Sequence, residues 1–472
     1  MSLRESTVHP VVVIGGGISG LVCAYQLQRS GIPVRLLDAG SHAGGVIATV
    51  EQDGFRFDLG PQSFLSTEPL VALIEALGLN DQLLHADPHA PRYILLGGQL
   101  VPAPMSPPSL LRTPLFSART KWRLITEILR NSRPPAEDES IAAFVRRKFG
   151  DELLQRFVAP FVSGVYAGDP ERLSLCAAFP KLHEFEQRYG SVLRGAMKSR
   201  PAKGTPRPGL CAFRDGMATL PRAIAAHLGD SLSLETSVTG LRRSTANGKP
   251  SFEISVSRKR QHEMLTANGV VIATPTNIAS LLVLGISDEL PAIFSRIEYA
   301  PVAVVSAGYR REQFQRPPVG FGFLVPRSEG LHVLGTVFNS SLFAGRAPDG
   351  MASLTSFAGG ATDSKFCDLS DEEITEAIGA EVGRVLGISG KPVTVNLQRY
   401  AHALPQYNLG HKQTVESLEQ LADAMPELFL AGNYLSGPSI GVCVEQANRT
   451  AEAVRAYLAS IGIAGAGVVA NA

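Results

Sequence analysis

VVVIGGGISGLVCAYQLQRSGIPVRLLDAG, Val11 to Gly40, is the stretch on which the fold turns. Val11 to Ile14 is a short apolar, β-branched run, which predicts a strand buried on both faces of a parallel sheet. It enters Gly15-Gly16-Gly17-Ile18-Ser19-Gly20, a G-x-G-x-x-G turn, and Leu21, Ala24, Tyr25, Leu27 and Gln28 then recur at helical spacing up to Gly31. Val34 to Leu37 reads as a second strand, closed by Asp38 and Ala39. Each part has a physical task. Gly15 permits the tight turn, Gly17 lets backbone approach a pyrophosphate, and Gly20 lets the helix pack closely on the sheet. The helix N-terminus offers free N–H groups to phosphate, and Asp38 accepts hydrogen bonds from ribose hydroxyls while repelling a 2′-phosphate. The unit predicts dinucleotide binding and leaves NAD and FAD open.

The whole chain narrows the setting. Its 472 residues predict two or three domains. A formal net charge of +1 leaves no basic field for nucleic acid. Five scattered cysteines form no CxxC pair, and the ten histidines form no HExxH, so neither a disulfide framework nor a metal site is expected. The N-terminus lacks the apolar core of a secretory signal, and no apolar run reaches the ~18 residues that cross a bilayer. The expected location is cytoplasmic.

Beyond the first unit the residues favour FAD. Gly44-Gly45-Val46 follows the acid closely enough for a second glycine turn to pass beneath the same pyrophosphate. Asp53-Gly54 predicts a hairpin, and Asp58-Leu59-Gly60-Pro61-Gln62-Ser63 follows, where a plain NAD unit would continue through another helix and strand. At the far end, LFLAGNYLSGPSIGVCVEQANRTAEAV (Leu428 to Val454) predicts a strand, a glycine turn and a second helix N-terminus. A domain assembled from discontinuous pieces follows.

The glycine fingerprint with Gly44-Gly45, together with the closing LFLAGNYLSG, resembles the flavoprotein superfamily of amine oxidases, carotenoid desaturases and protoporphyrinogen oxidases. VIATPT (Val271 to Thr276) and SLETSVTGLRR (Ser233 to Arg243) resemble its internal strands. Within it, PRYILLGGQLVPAP (91–104), PFVSGVYAGDPERLS (160–174), GFGFLVP (320–326), HVLGTVFNSSLFAGRAPDG (332–350), SFAGG (356–360) and LPQYNLGH (404–411) resemble the protoporphyrinogen oxidase family, which includes bacterial coproporphyrinogen III oxidases.

That resemblance implies an α/β and α+β protein: a Rossmann-like FAD-binding domain in three pieces (1–82, 221–275 and 426–460), a helical, membrane-associating insertion (83–192), a mixed-sheet substrate domain in two pieces (193–220 and 276–425) and a flexible tail (461–472). Gly60, Pro61, Gln62 and Ser63 would line the flavin side and the Val238 backbone the adenine side. Gly432, Asn433, Ser439, Ile440 and Val444 would meet the cofactor from the closing segment. Leu324, Val337 and Phe357 would face the macrocycle, Gly164 would leave it room, and Arg92 would hold a propionate. Val337 stands where many relatives carry leucine, and Gln62 where others carry Asn, Arg or Asp.

The implied reaction is an FAD-dependent six-electron oxidation in haem biosynthesis, protoporphyrinogen IX to protoporphyrin IX, with coproporphyrinogen III as the alternative. The flavin accepts two electrons at a time, O2 is the final acceptor and H2O2 the product. No catalytic side chain is demanded, because the cofactor carries the hard chemistry. A homodimer and hand-off of product to ferrochelatase also fit. SPPSLLRTPLFSARTKWRL mixes Leu110, Leu111, Leu115, Phe116 and Trp122 with Arg112, Arg119, Lys121 and Arg123, which suits either an interfacial anchor on the inner face of a membrane or an ordinary amphipathic helix. Three rivals stand beside this reading. An amine oxidase places an aromatic in the closing motif, where Gly441, Val442, Cys443 and Val444 offer none; a carotenoid desaturase does not account for Arg92; a non-catalytic porphyrin-binding scaffold does not need complete cofactor motifs.

Overall fold

The computed structural model describes residues 9–199, 209–246 and 248–463. Its centre is a five-stranded parallel sheet in the order Leu232–Ser233, Val34–Leu37, Val11–Ile14, Gly269–Ile272, Leu428–Leu430. Strands far apart in sequence thus become neighbours. Alternation along the central strand explains why all four of its residues are apolar. Val11 and Val13 enter one core with the helices Ile18–Arg29, Thr219–Leu228 and Ile440–Ser460, while Val12 and Ile14 enter another beneath the antiparallel strands Thr236–Ala246, Lys249–Arg258 and Gln261–Ala267.

A seven-stranded mixed sheet makes the second domain, in the order Thr394–Pro405, Tyr299–Arg310, Met351–Gly359, Val333–Val337, Gly322–Leu324, Arg92–Leu96, Gln99–Pro102. One face carries the helix Asp371–Leu386 through Ile374, Ile378 and Val382. The helix Ala159–Tyr166 crosses the other, and a Cβ at Gly164 would lie 2.5 Å from Leu324 Cδ2.

Two expected boundaries move. Residues 83–192 are not wholly helical: Leu83–His85 pairs with Leu210–Phe213, and the hairpin Arg92–Pro102 belongs to the seven-stranded sheet through Arg92–Leu96 beside Gly322–Leu324. The helical layer runs from Pro107 to Lys198. The expected first piece of the substrate domain, 193–220, likewise contributes Cys211, Ala212 and Phe213 to the core of the cofactor domain. In both cases strand pairing with a distant partner decides membership. Most of the expected tail, 464–472, lies outside the described residues.

The candidate anchor is divided. Leu115 and Phe116 are buried in the helical core, whereas Leu111 and Trp122 are exposed. No described helix is long and apolar enough to cross a membrane.

Candidate active site

The fingerprint glycines are required for different reasons. Gly15 has φ +109°, and a Cβ there would sit 2.8 Å from Ala273 O; at Gly20 it would sit 1.9 Å from Gly15 O. At Gly17 it would meet nothing within 4 Å. Gly17 also caps the helix without a side-chain acceptor, so open space faces the positive end of the helix. Ile18 is half-buried and Ser19 is turned inward. Asp38 is aimed by the N–H of Gly16, 2.5 Å from Oδ2, and by that of Gly40, 2.6 Å from Oδ1.

The second glycine turn joins this loop. Gly44 N–H donates to Gly16 O at 2.8 Å, and a Cβ at Gly45 would lie 3.4 Å from Gly17 Cα. Val46 follows, 43% exposed despite its apolar side chain, and Gly60 is pressed so closely on it that a Cβ would lie 2.1 Å from Val46 O. Pro61 and Ser63 are half-buried and Ala39 is exposed. The strand carrying Val238 is stitched to the same end of the sheet, with Thr236 N–H on Asp38 O at 2.8 Å and Glu235 N–H on Gly40 O at 2.9 Å.

Not every proposed cofactor residue can reach a ligand with its side chain. Gln62 is buried, its amide nitrogen donating to Asp58 O and Gly60 O and its Oε1 accepting from Asn339 Nδ2 at 2.6 Å. Its side chain shapes the loop from inside rather than lining a flavin surface. Ile440 and Val444 are packed in the core, Val444 with no exposed surface, so the closing segment offers backbone there. Ser439 caps the 21-residue helix Ile440–Ser460 by accepting from Val442 N–H. Asn433 and its neighbour are held from the other domain: Tyr407 OH donates to Asn433 O, and His411 Nε2 donates to Tyr434 O at 2.9 Å. Burial pushes the His411 imidazole down to about 4, against the weaker opposing pull of that carbonyl.

On the mixed sheet, register brings the proposed substrate residues to one face. Leu324 lies opposite Gly335, and Gly335 opposite Phe357; Val337 lies opposite Gly322, which neighbours Arg92. Residues directly opposite or two apart share a face, so Arg92, Leu324, Val337 and Phe357 form one surface interrupted by two glycines. At Gly322 (φ +141°) a Cβ would lie 2.0 Å from Thr336 O. The result is an apolar shelf on which Leu324 lies over Gly335, where a Cβ would come 3.0 Å from Leu324 Cδ2. Arg92 stands at its exposed end with Cζ 5.2 Å from the Phe321 ring centroid. Phe321, Asn339 and Arg346 are functional candidates that sequence reasoning passed over. All three lie inside quoted motifs, Phe321 in GFGFLVP and the other two in HVLGTVFNSSLFAGRAPDG, but no spacing there marks them individually.

Residues 18–455 match the family model of flavin containing amine oxidoreductases. The chain belongs to the flavin-containing amine oxidoreductase family. It is 34% identical to protoporphyrinogen oxidase 1 of Arabidopsis thaliana chloroplasts, over 95% of this chain and 88% of that one. It is 30% identical to coproporphyrinogen III oxidase of Bacillus subtilis, over 95% and 98%. A crystal structure from Exiguobacterium sp. 255-15 superposes with a TM-score of 0.80 at 26% identity, covering 95% of this chain and 99% of that one. Putrescine oxidase, at 17% identity and a TM-score of 0.69 over 96% of this chain and 99% of that one, shares the fold.

As a member of this family the protein is an FAD-dependent oxidoreductase. The cradle fits that cofactor by its own geometry. Gly17 and Gly45 form an open floor at an uncapped helix N-terminus, which suits a pyrophosphate, and the carboxylate of Asp38 is already oriented for ribose.

Proposed function

We propose that the enzyme oxidises a porphyrinogen to its porphyrin in haem biosynthesis, with protoporphyrinogen IX as the first substrate and coproporphyrinogen III as the alternative, O2 as acceptor and H2O2 as product. The observation that carries this reading is the shelf. Leu324, Val337 and Phe357 share one face of the sheet with the buried glycines Gly322 and Gly335 between them, and a cation stands at its exposed end. A large, puckered, apolar macrocycle with propionates matches that combination; a small amine does not need it. The names of the relatives from Arabidopsis and Bacillus support the same substrate class.

Bound FAD supplies the two-electron acceptor. The chain holds it through Gly15 to Gly20, Asp38, Gly44 to Val46 and the closing turn. Arg92 receives a propionate in a bidentate, charge-assisted pair, worth about 1.5–3 kcal/mol where water is partly excluded. Among the described residues no carboxylate pairs with it. Leu324 and Phe357 grip the ring and exclude water, and Gly164 keeps the crossing helix close to Leu324. Proton release is left to the pyrrole N–H groups of the substrate.

Exposed Leu111, Trp122, Ile125 and Leu129 beside Arg112 and Arg119 support peripheral contact with a membrane, suited to a poorly soluble substrate. A homodimer and delivery to ferrochelatase complete the reading. The deciding experiment adds each porphyrinogen to the FAD-loaded protein without oxygen, then readmits oxygen while porphyrin fluorescence and peroxide are followed. Bleaching of the flavin followed by porphyrin and peroxide is expected. A flavin that neither porphyrinogen bleaches would refute the assignment.

A further inference from the structure

The strand bearing Val337 leaves the shelf through Phe338 into the turn Asn339–Leu342 and the segment reaching Pro348. That excursion crosses to the cofactor domain. Arg56 N–H donates to Arg346 O at 3.2 Å, and a Cβ at Gly54 would lie 3.1 Å from Pro348 Cγ.

Two buried side chains complete the crossing. Asn339 donates to Gln62, whose own amide nitrogen holds Asp58 O at 2.7 Å and Gly60 O at 2.8 Å. Arg346, 1% exposed, places Nη2 3.2 Å from Asp58 Oδ2 and donates to Phe213 O at 3.0 Å. The other carboxylate oxygen of Asp58 accepts from Thr49 Oγ1 at 2.6 Å and from Met217 N–H at 2.7 Å. Both contacts therefore close on Asp58–Gln62. This is the loop whose Gly60 bears on Val46 at the edge of the cradle.

The energetics argue against mere adhesion. A wholly buried ion pair contributes little net stability compared with apolar residues of the same volume, although removing one partner costs a great deal. Burial here drives the Asp58 carboxyl up and the Arg346 guanidinium down, each opposed by the other's charge. Arg346 Nε and Nη1 also lack hydrogen-bond partners among the described residues. What such a pair secures is one geometry in preference to its neighbours.

We propose that Asn339 and Arg346 are positioning residues, forming a two-point clamp through which the strand of Val337 holds the Asp58–Gln62 loop against the cofactor cradle at a single separation. The clamp rests on the FAD assignment, and only its turnover arm rests on the porphyrinogen reading. The test compares FAD-loaded wild type with Asn339→Ala, Arg346→Lys and Arg346→Met. It reads the visible circular dichroism of bound FAD, the flavin reduction potential by equilibration with a reference dye, and kcat and KM separately.

Asn339→Ala is expected to keep its fold, alter the dichroism and potential, and lower kcat about tenfold or more at nearly unchanged KM, the signature of a misplaced reacting geometry. Arg346→Lys should recover most of what Arg346→Met loses. Folded Asn339→Ala and Arg346→Met proteins with wild-type dichroism, potential and kcat would overturn the clamp, and Asn339→Ala decides alone if Arg346→Met does not fold. Should the wild type oxidise neither porphyrinogen, the substrate reading fails while dichroism and potential still decide the clamp.

Discussion

At the scale of single residues, two glycines three positions apart make opposite predictions. A methyl group at Gly20 would collide with Gly15 O, whereas one at Gly17 would enter open space. Gly20→Ala should destabilise the apoprotein by about 1–3 kcal/mol. Gly17→Ala should melt like the wild type yet bind FAD more weakly. Thermal melts without cofactor and fluorescence titrations with FAD separate the two. Arg92 stands at the exposed end of the shelf, and in the anchoring role proposed for it Arg92→Ala should raise KM about tenfold and lower kcat far less; steady-state kinetics with an unchanged KM would contradict that role. Phe357→Ala should retain flavin, as judged by its absorbance, and lose kcat through poorer placement of the macrocycle. The parts expected of Gly17 and Asp38 come from a local motif that states their chemistry, and that of Arg92 from the family resemblance. The inward turn of Gln62 was not, because its partner Asn339 comes from another domain.

At the scale of elements, the helical layer is held by charges that no periodicity announces. Lys148 is 3% exposed and lies 2.9 Å from Glu186 and 3.4 Å from Glu127, neither of which has exposed side-chain surface. Glu127 also accepts from Ser191 Oγ and from the N–H groups of Val192 and Leu193, fixing the start of the helix Val192–Lys198. Lys148→Met should cost about 3–5 kcal/mol, since it removes the buried cation shared by two buried carboxylates, and denaturant titration of the two proteins measures the loss. Burial alone would raise the Glu186 carboxyl, but Arg147, Ser132 and Lys148 outweigh it and hold the group at about 2, below its ordinary 4.5. Its contribution is complete above the ordinary value and fades as pH falls from there towards 2. The helices here follow the helical insertion that the family resemblance implies. The hairpin Arg92–Pro102 was misplaced among them because its strand pairs with Gly322–Leu324, a neighbour that only folding supplies.

At the scale of the molecule, three parts meet at the segment Gln406–His411. Gln406 Nε2 donates to Tyr166 O in the helical layer, while Tyr407 and His411 donate to the closing turn of the cofactor domain. His411 is buried and neutral, with its folded value depressed to about 4 from 6.5. The unfolded chain takes up its proton first on acidification, so this residue's contribution is whole above 6.5 and is lost as pH falls towards 4. Melting temperatures between pH 7 and 5 should fall more steeply in the wild type than in His411→Gln. What the sequence determined unaided was the nucleotide-binding unit, because a strand, a glycine turn, a helix and an acid lie within one short span and their spacing is their chemistry; the flavin family was legible from resemblance in segments spread along the chain. The shared face of Leu324, Val337 and Phe357, the contacts of Asn339 and Arg346 with Gln62 and Asp58, and the membership of the hairpin took tertiary structure to settle. Each depends on hydrogen-bond register or burial between segments far apart in the chain, and no local pattern encodes which distant backbone will lie alongside.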